Sequence, residues 1–371
     1  MSIAPGLLPE GLRDRLPPQA EALSRLLHRV IVAIGRHGYQ RVSPPLAEFE
    51  EGLVAQLKSA GARDLLRFVD PVSQRTLALR PDITAQVGRI AATRMAHRPR
   101  PLRLAYGGPV LKLRATQLRP ERELVQAGAE LIGTDSLAAV IEILRVAIEA
   151  LEVAGVTGIT IDLTLPDLVE TLAGGPMPLP AERIGAVRAM LDAKDAGGLA
   201  SLGATAYLPF IEATGPVGPA LARLRAIEGA DALRSRLEAI DAIVAAIGDR
   251  VTLTLDPTER HGFEYQRWIG FSLFGRGLSG EIGRGGSYAI VHPDGDEEKA
   301  IGFSLFIDPL VDVGLGVVEH KRIFLPFGTD QALAARLRSE DWITVAALAP
   351  GDDAAALGCT HILRDGEPAA L

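Results

Sequence analysis

The chain has 371 residues, 47% of them hydrophobic and 23% charged, and its 39 Lys and Arg against 46 Asp and Glu leave a formal net charge of −7. This length exceeds what one hydrophobic core usually spans, about 300 residues, so two folded units are expected. The acidic balance works against a surface that neutralises many phosphates, and one cysteine, Cys359, excludes an internal disulfide and fits a reducing cytoplasm.

The N-terminus reaches the charged residues Glu10, Arg13 and Asp14 too early for a signal peptide. No apolar run approaches the ~20 residues needed to span a bilayer, so a soluble cytoplasmic protein without a membrane partner is expected. Leu23, Leu26, Leu27, Val30 and Ile34 recur at helical spacing and Gly38 follows, which predicts a helix over 19–37 with a glycine C-cap. Tyr39 to Glu48 reads as a strand that ends in the pair Pro44-Pro45 and exits to a polar loop. Strand formers recur at 75–79, 102–106, 109–114, 122–131, 158–165, 251–255, 263–274 and 301–307, predicting a large antiparallel sheet. Helices are expected over 82–96 and over 136–154, where Ile141, Leu144, Val146, Ala147 and Leu151 form an apolar face. The class is α+β.

Residues 180–247 are rich in Ala and Leu with helical periodicity, so a helical insertion is expected at about 175–248. From Lys321 onward the pattern is that of a small α/β unit, with strands at 322–327, 342–348 and 361–363. The expected division is a core at 1–315 and a small C-terminal domain at 316–371.

Asp82 and Thr84 stand near a helix start in Leu79-Arg-Pro-Asp-Ile-Thr84, and seen alone they read as caps for backbone N–H groups. Gln126 and Glu130 are four apart, a spacing that places both on one face of a strand. They form either a polar network that keeps a pocket folded or a binding site. Gly283-Arg-Gly-Gly286 lacks the Lys and Ser/Thr of a phosphate loop and reads as a tight turn. The seven histidines show no ligand-like pairing and the sequence offers no Cys and His cluster, so no metal or cofactor is expected.

The order of segments carries a specific resemblance. A strand ending in Pro is followed by Arg80-Pro-Asp-Ile-Thr84, then Tyr106-Gly-Gly-Pro109, then Gln126-Ala-Gly-Ala-Glu130. Over roughly residues 8–312 this resembles histidyl-tRNA synthetases and their paralogues, which implies a class II aminoacyl-tRNA synthetase-like antiparallel sheet flanked by helices. The resemblance further implies that Asp82, Thr84, Gln126, Glu130 and Tyr265 line a degenerate histidine pocket.

The nucleotide signatures depart from that family. Where an Arg that grips the ATP α-phosphate and a Glu that reads adenine are expected, the chain has Lys112 and Arg114. A guanidinium cannot accept the adenine amino group's hydrogen bond. The third signature, Gly-Phe-x-x-Gly-x-Glu-Arg, appears as Gly302-Phe-Ser-Leu-Phe-Ile-Asp-Pro309, with Pro309 in place of a phosphate-stabilising Arg. In Arg260-His-Gly-Phe-Glu-Tyr-Gln266 an expected Arg becomes His261 and a Tyr becomes Gln266, and Arg260 retains a cation one position away. No residue is therefore expected to be catalytic.

Histidyl-type cores of this kind, with only about 60 residues after the third signature, resemble the regulatory subunits of ATP phosphoribosyltransferase. That implies a non-catalytic role in the first step of L-histidine biosynthesis. It also implies a hetero-octamer with the short-form catalytic subunit, a homodimer through the helix at 19–37 and its following strand, and L-histidine as effector. Nucleic acid is not an expected partner. The competing readings are a divergent histidyl-tRNA synthetase, which predicts histidine-dependent pyrophosphate exchange, and a tRNA- or protein-binding paralogue.

Overall fold

The computed structural model describes residues 6–56, 65–114, 120–260 and 266–371. Contacts within the chain divide it into two units, Met1–Gly316 and Val317–Leu371.

The first unit begins with helix α1 (Gln19–Arg36), whose Leu26, Val30 and Ile34 are fully buried. It stops as its sequence requires: His37 caps it and Gly38 follows at φ +84°, the left-handed region that glycine enters without strain. Next come β1 (Gln40–Arg41), β2 (Ala47–Phe49), α2 (Glu50–Gln56), β3 (Leu66–Val69), β4 (Thr76–Leu79) and α3 (Thr84–Ala92). The strand expected at 39–48 is thus two short pieces separated by Pro44-Pro45, neither of which can donate a ladder hydrogen bond.

β5 (Leu102–Leu111), β6 (Glu123–Ile132), α4 (Leu137–Val153) and β7 (Thr160–Thr164) follow. The two strands expected at 102–106 and 109–114 are one. Leu102 to Leu111 pairs without a break against β6, and Pro109 is accommodated opposite Val125.

After β7 the chain runs through α5 (Leu168–Ala173), α6 (Ala181–Asp192), α7 (Ala196–Ser201), α8 (Leu208–Glu212), β8 (Gly215–Pro216), α9 (Val217–Ala226) and α10 (Arg234–Ile247). It returns as β9 (Thr252–Leu255), β10 (Gly270–Phe274), β11 (Gly283–Val291), β12 (Glu297–Phe306) and α11 (Asp308–Asp312). Nine strands form one sheet in the order β1-β5-β6-β12-β11-β10-β7-β9-β8. It is antiparallel from β5 to β7, while the β1–β5 and β7–β9 pairs are parallel because helical crossovers return the chain in the same direction.

Gly283 to Gly286 is not a turn but the start of β11. The glycines there serve close packing rather than bending: a Cβ on Gly283 would lie 2.5 Å from the carbonyl of Ser304 on the neighbouring strand.

Strand alternation gives the sheet two different faces. Ala127, Ala129, Leu131, Ile301, Phe303 and Leu305 point towards α1 and α4 and build the main core. Leu104, Tyr106, Ile132, Tyr288 and Ala300 face the other way and pack with Ile83, just before α3, and with Val87 and Ala91 of α3. A separate three-stranded sheet, β2-β4-β3, stands beside α3.

The second unit contains β13 (Arg322–Leu325), α12 (Gln331–Ser339), β14 (Ile343–Ala346), β15 (His361–Arg364) and β16 (Glu367–Ala370). Its sheet runs β14-β13-β15-β16, with Leu337 of α12 buried against Ile323, Leu325 and Leu363. β16 escaped the sequence reading because Glu367-Pro-Ala-Ala370 has little strand propensity, and pairing with β15 supplies what propensity lacks. Among the described residues no helix is long and apolar enough to cross a membrane.

Candidate functional site

Four of the five expected pocket residues meet on the α3 face of the central strands. Gln126 and Glu130 project from β6, opposite Gly108 and Leu104 on β5 and opposite Phe306 and Gly302 on β12. Asp82 and Thr84 arrive from the β4 to α3 turn. The fifth, Tyr265, lies outside the described residues.

Gln126 is fully buried and ties the turn to the sheet. Its Oε1 accepts the backbone N–H of Ile83 at 2.9 Å, and its Nε2 donates to Asp82 Oδ2 at 2.7 Å and to Ser304 Oγ at 2.6 Å. Asp82 Oδ1 accepts the N–H of Thr84 at 2.7 Å. Asp82, one residue before the N-cap Ile83, therefore satisfies an N–H of the first turn of α3 and belongs to the network at once.

Glu130 is 1% exposed. Its two oxygens accept from Tyr106 Oη at 3.0 Å and Tyr288 Oη at 2.8 Å, and no cation among the described residues is bonded to it. Burial pushes the carboxyl up to about 8, against the two tyrosine hydrogen bonds that favour the charged form. At neutral pH it is mainly a neutral acid. Tyr106 Oη also meets Thr84 Oγ1 at 3.1 Å and Ser304 Oγ at 2.8 Å, so a continuous chain links Thr84, Tyr106, Ser304, Gln126 and Asp82. Burial together with Glu130 raises the Tyr106 hydroxyl far above its ordinary value.

The floor of this site is glycine. A Cβ on Gly302 would collide with the Glu130 carboxylate, and one on Gly128 would come within 2.5 Å of Tyr106 Oη. Tyr106, Tyr288 and Ser304 were not assigned to the pocket from sequence. Their places depend on register across four strands, which local spacing does not encode. Gln266 sits against Gly286, 6% exposed, and neither atom of its amide has a hydrogen-bond partner among the described residues.

Several residues at the nucleotide-signature positions contact the protein's own groups. Phe306, which replaces the signature glycine, is 7% exposed and packs in the α3-side core. The Lys112 ammonium lies 5.4 Å from its ring centroid, within reach of a cation–π attraction. Arg114 is exposed. Asp308 accepts the N–H of Val125 at 2.6 Å and pairs with Arg15 at 2.6 Å, while Pro309 sits in the first turn of α11. Burial raises the Asp308 carboxyl, opposed by Val125 and Arg15. Cations contributed by the N-terminal segment thus engage both acidic residues of α11, since Arg13 also bonds Asp312 at 2.6 Å. Arg260 is turned away from this region and donates to the carbonyl of Pro166 at 2.5 Å. Among the described residues no group of His, Cys, Asp and Glu is arranged to hold a metal ion.

Comparison with known proteins agrees with this pattern. The sequence matches the histidyl-tRNA synthetase family model over residues 11–310. It is 44% identical to the ATP phosphoribosyltransferase regulatory subunit of Rhodospirillum centenum, over 97% of this chain and 95% of that one. It is 43% identical to the same-named protein of Paramagnetospirillum magneticum, over 96% of each. The fold is similar to that of an ATP phosphoribosyltransferase regulatory subunit/histidyl-tRNA synthetase from Bacillus halodurans, with a TM-score of 0.80 at 23% identity over 96% of this chain and 97% of that one. It is also similar to a histidyl-tRNA synthetase from Nostoc, with a TM-score of 0.76 at 15% identity over 98% and 91% of the two chains. With the synthetase fold intact and its nucleotide signatures rewritten, the chain belongs to the family of ATP phosphoribosyltransferase regulatory subunits, histidyl-tRNA synthetase paralogues of class II fold.

Proposed function

We propose that the chain does no chemistry itself but binds the short-form catalytic subunit of ATP phosphoribosyltransferase in the cytoplasm, activates it, and transmits feedback inhibition by L-histidine. The observation that carries this reading is the identity of 44% to a named regulatory subunit along almost the whole of both chains. The state of the two half-sites supports the absence of catalysis. Transfer of a nucleotidyl group needs positioned positive charge at the phosphates, and Pro309 supplies none where the signature Arg is expected.

The amino-acid half keeps the groups a histidine needs. Asp82 offers a carboxylate to an α-ammonium, and Glu130, neutral near pH 7 and held by two tyrosines, offers an acid to an imidazole. Feedback requires that histidine bind two states of the complex with unequal affinity. The hydroxyl chain from Thr84 to Asp82 is already hydrogen-bonded within itself, so a ligand must exchange these bonds for its own, which gives the pocket two arrangements. A hetero-octamer containing homodimers is the assembly this reading implies, and the domain at 316–371 is read as an accessory α/β module.

The experiment is to mix the purified chain with a short-form ATP phosphoribosyltransferase and follow product formation with and without histidine. The expected result is a complex with a higher rate that histidine suppresses. No complex and no change of rate would overturn the proposal.

A further inference from the structure

Residues 6–18 lead into α1, and not one of them is buried. Leu7, Leu8 and Leu16 are 66%, 42% and 67% exposed, so burial of apolar surface contributes little to holding this segment in place. Polar ties hold it instead. On one side the carbonyl of Gly11 accepts the N–H of Arg122 at 2.8 Å, and that of Glu10 accepts Arg122 Nη1 at 3.3 Å, at the outer end of the β5–β6 pair. The crossing is tight, because Gly11 has φ +75° and a Cβ there would lie 2.6 Å from the carbonyl of Pro120. On the other side Arg13 bonds Asp312 at 2.6 Å, while Arg15 bonds Asp308 at 2.6 Å and Asp312 at 3.3 Å. The segment is a strap that fastens the end of the β5–β6 pair to α11.

The inner ion pair of the strap also reaches the sheet. The side chains of Arg15 and Asp308 are 15% and 4% exposed, against 43% and 36% for Arg13 and Asp312. Asp308 Oδ2 accepts the N–H of Val125 at 2.6 Å, and the N–H of Ile307 donates to the carbonyl of Val125 at 2.9 Å, so α11 grips β6 at this residue. The next residue of β6 is Gln126, whose side chain holds the N–H of Ile83 and the carboxylate of Asp82. When the strap lifts, Asp308 loses its nearer cation. A carboxylate so deeply buried must then take up a proton or turn towards water, and either change weakens its bond to Val125.

A segment held only by surface ions and hydrogen bonds opens at a lower free energy than the core beneath it. We infer that the N-terminal strap is a releasable clamp whose open and closed states are coupled, through Asp308 and Val125, to the Gln126 network. Closed, it holds β6 and α11 in the positions the network needs. Open, it loosens the grip of Gln126 on the turn before α3. Such coupling is reciprocal, so a change in the network shifts the strap as well. The device lies within this chain and does not depend on the proposed partner or ligand.

Hydrogen exchange of the full chain, resolved to single amides, tests this. The Arg122 N–H reports the strap, the Ile83 N–H reports the network, and the amides of α4 serve as the control. In the double variant Arg13→Met, Arg15→Met the Arg122 amide is expected to exchange at least about tenfold faster and the Ile83 amide at least about threefold faster, with α4 unchanged. Raising salt from about 0.05 M to about 1 M should move both reporters in the same direction in the wild type, because screening weakens the exposed pairs without any substitution. Gln126→Ala is expected to speed the Arg122 amide in return. An Ile83 amide that keeps its rate while the Arg122 amide accelerates overturns the coupling. An Arg122 amide that stays unchanged, or moves only together with α4, overturns the clamp itself.

Discussion

Glu130→Gln separates the electrostatics of the pocket from its shape. The replacement is nearly isosteric and can still accept from one tyrosine and donate to the other, but it cannot ionise. In the wild type the carboxyl is 1% exposed and its folded value lies at about 8, against 4.5 for the free side chain. Between those two pH values the folded chain holds a proton that the unfolded chain has released, so stability falls as pH rises through this window and is constant above it. At about 1.4 kcal/mol per pH unit the gap amounts to as much as about 5 kcal/mol of wild-type stability lost between pH 4.5 and 8. Glu130→Gln removes that loss. Melting curves of both proteins at pH 5, 6, 7 and 8 should diverge with rising pH, the variant gaining on the wild type by several degrees at pH 8. Parallel curves across the series would refute the assignment of Glu130 as a neutral buried acid.

Asp308→Ala removes the shorter of the two carboxylate contacts of the Arg15 guanidinium, which is 15% exposed and keeps only Asp312 at 3.3 Å, and leaves the Val125 N–H without its acceptor. Removing one partner of a buried pair typically costs about 3–5 kcal/mol, and urea unfolding should show it; a change below about 1 kcal/mol would sink the claim that this pair anchors the N-terminal segment. Phe306→Ala empties a core position 7% exposed and should cost about 3–5 kcal/mol by the same assay. It should not create histidine-dependent pyrophosphate exchange, because Arg114 and Pro309 remain; measurable exchange in this variant would show that Phe306 alone blocks nucleotide chemistry.

What the sequence by itself determined is what local order and composition can carry. The period of α1 and the glycine after it set the helix and its end, because both are decided within a few turns of one chain. The order of signature segments identified the family, and Lys112, Arg114 and Pro309 announced the rewritten nucleotide half. The even spacing of Gln126 and Glu130 placed them on one face, as β6 bears out.

Only the tertiary structure decided who meets them. Tyr106 and Tyr288 reach Glu130 from strands 24 and 158 residues away in sequence, and Arg15 reaches Asp308 from 293 residues away. Such pairings depend on cross-strand register, which is fixed by the fit of whole faces and not by any neighbouring residue. The same reason hid the true nature of Gly283 to Gly286. Read alone, a glycine run favours a turn, whereas between β10 and β12 it is what allows two strands to approach.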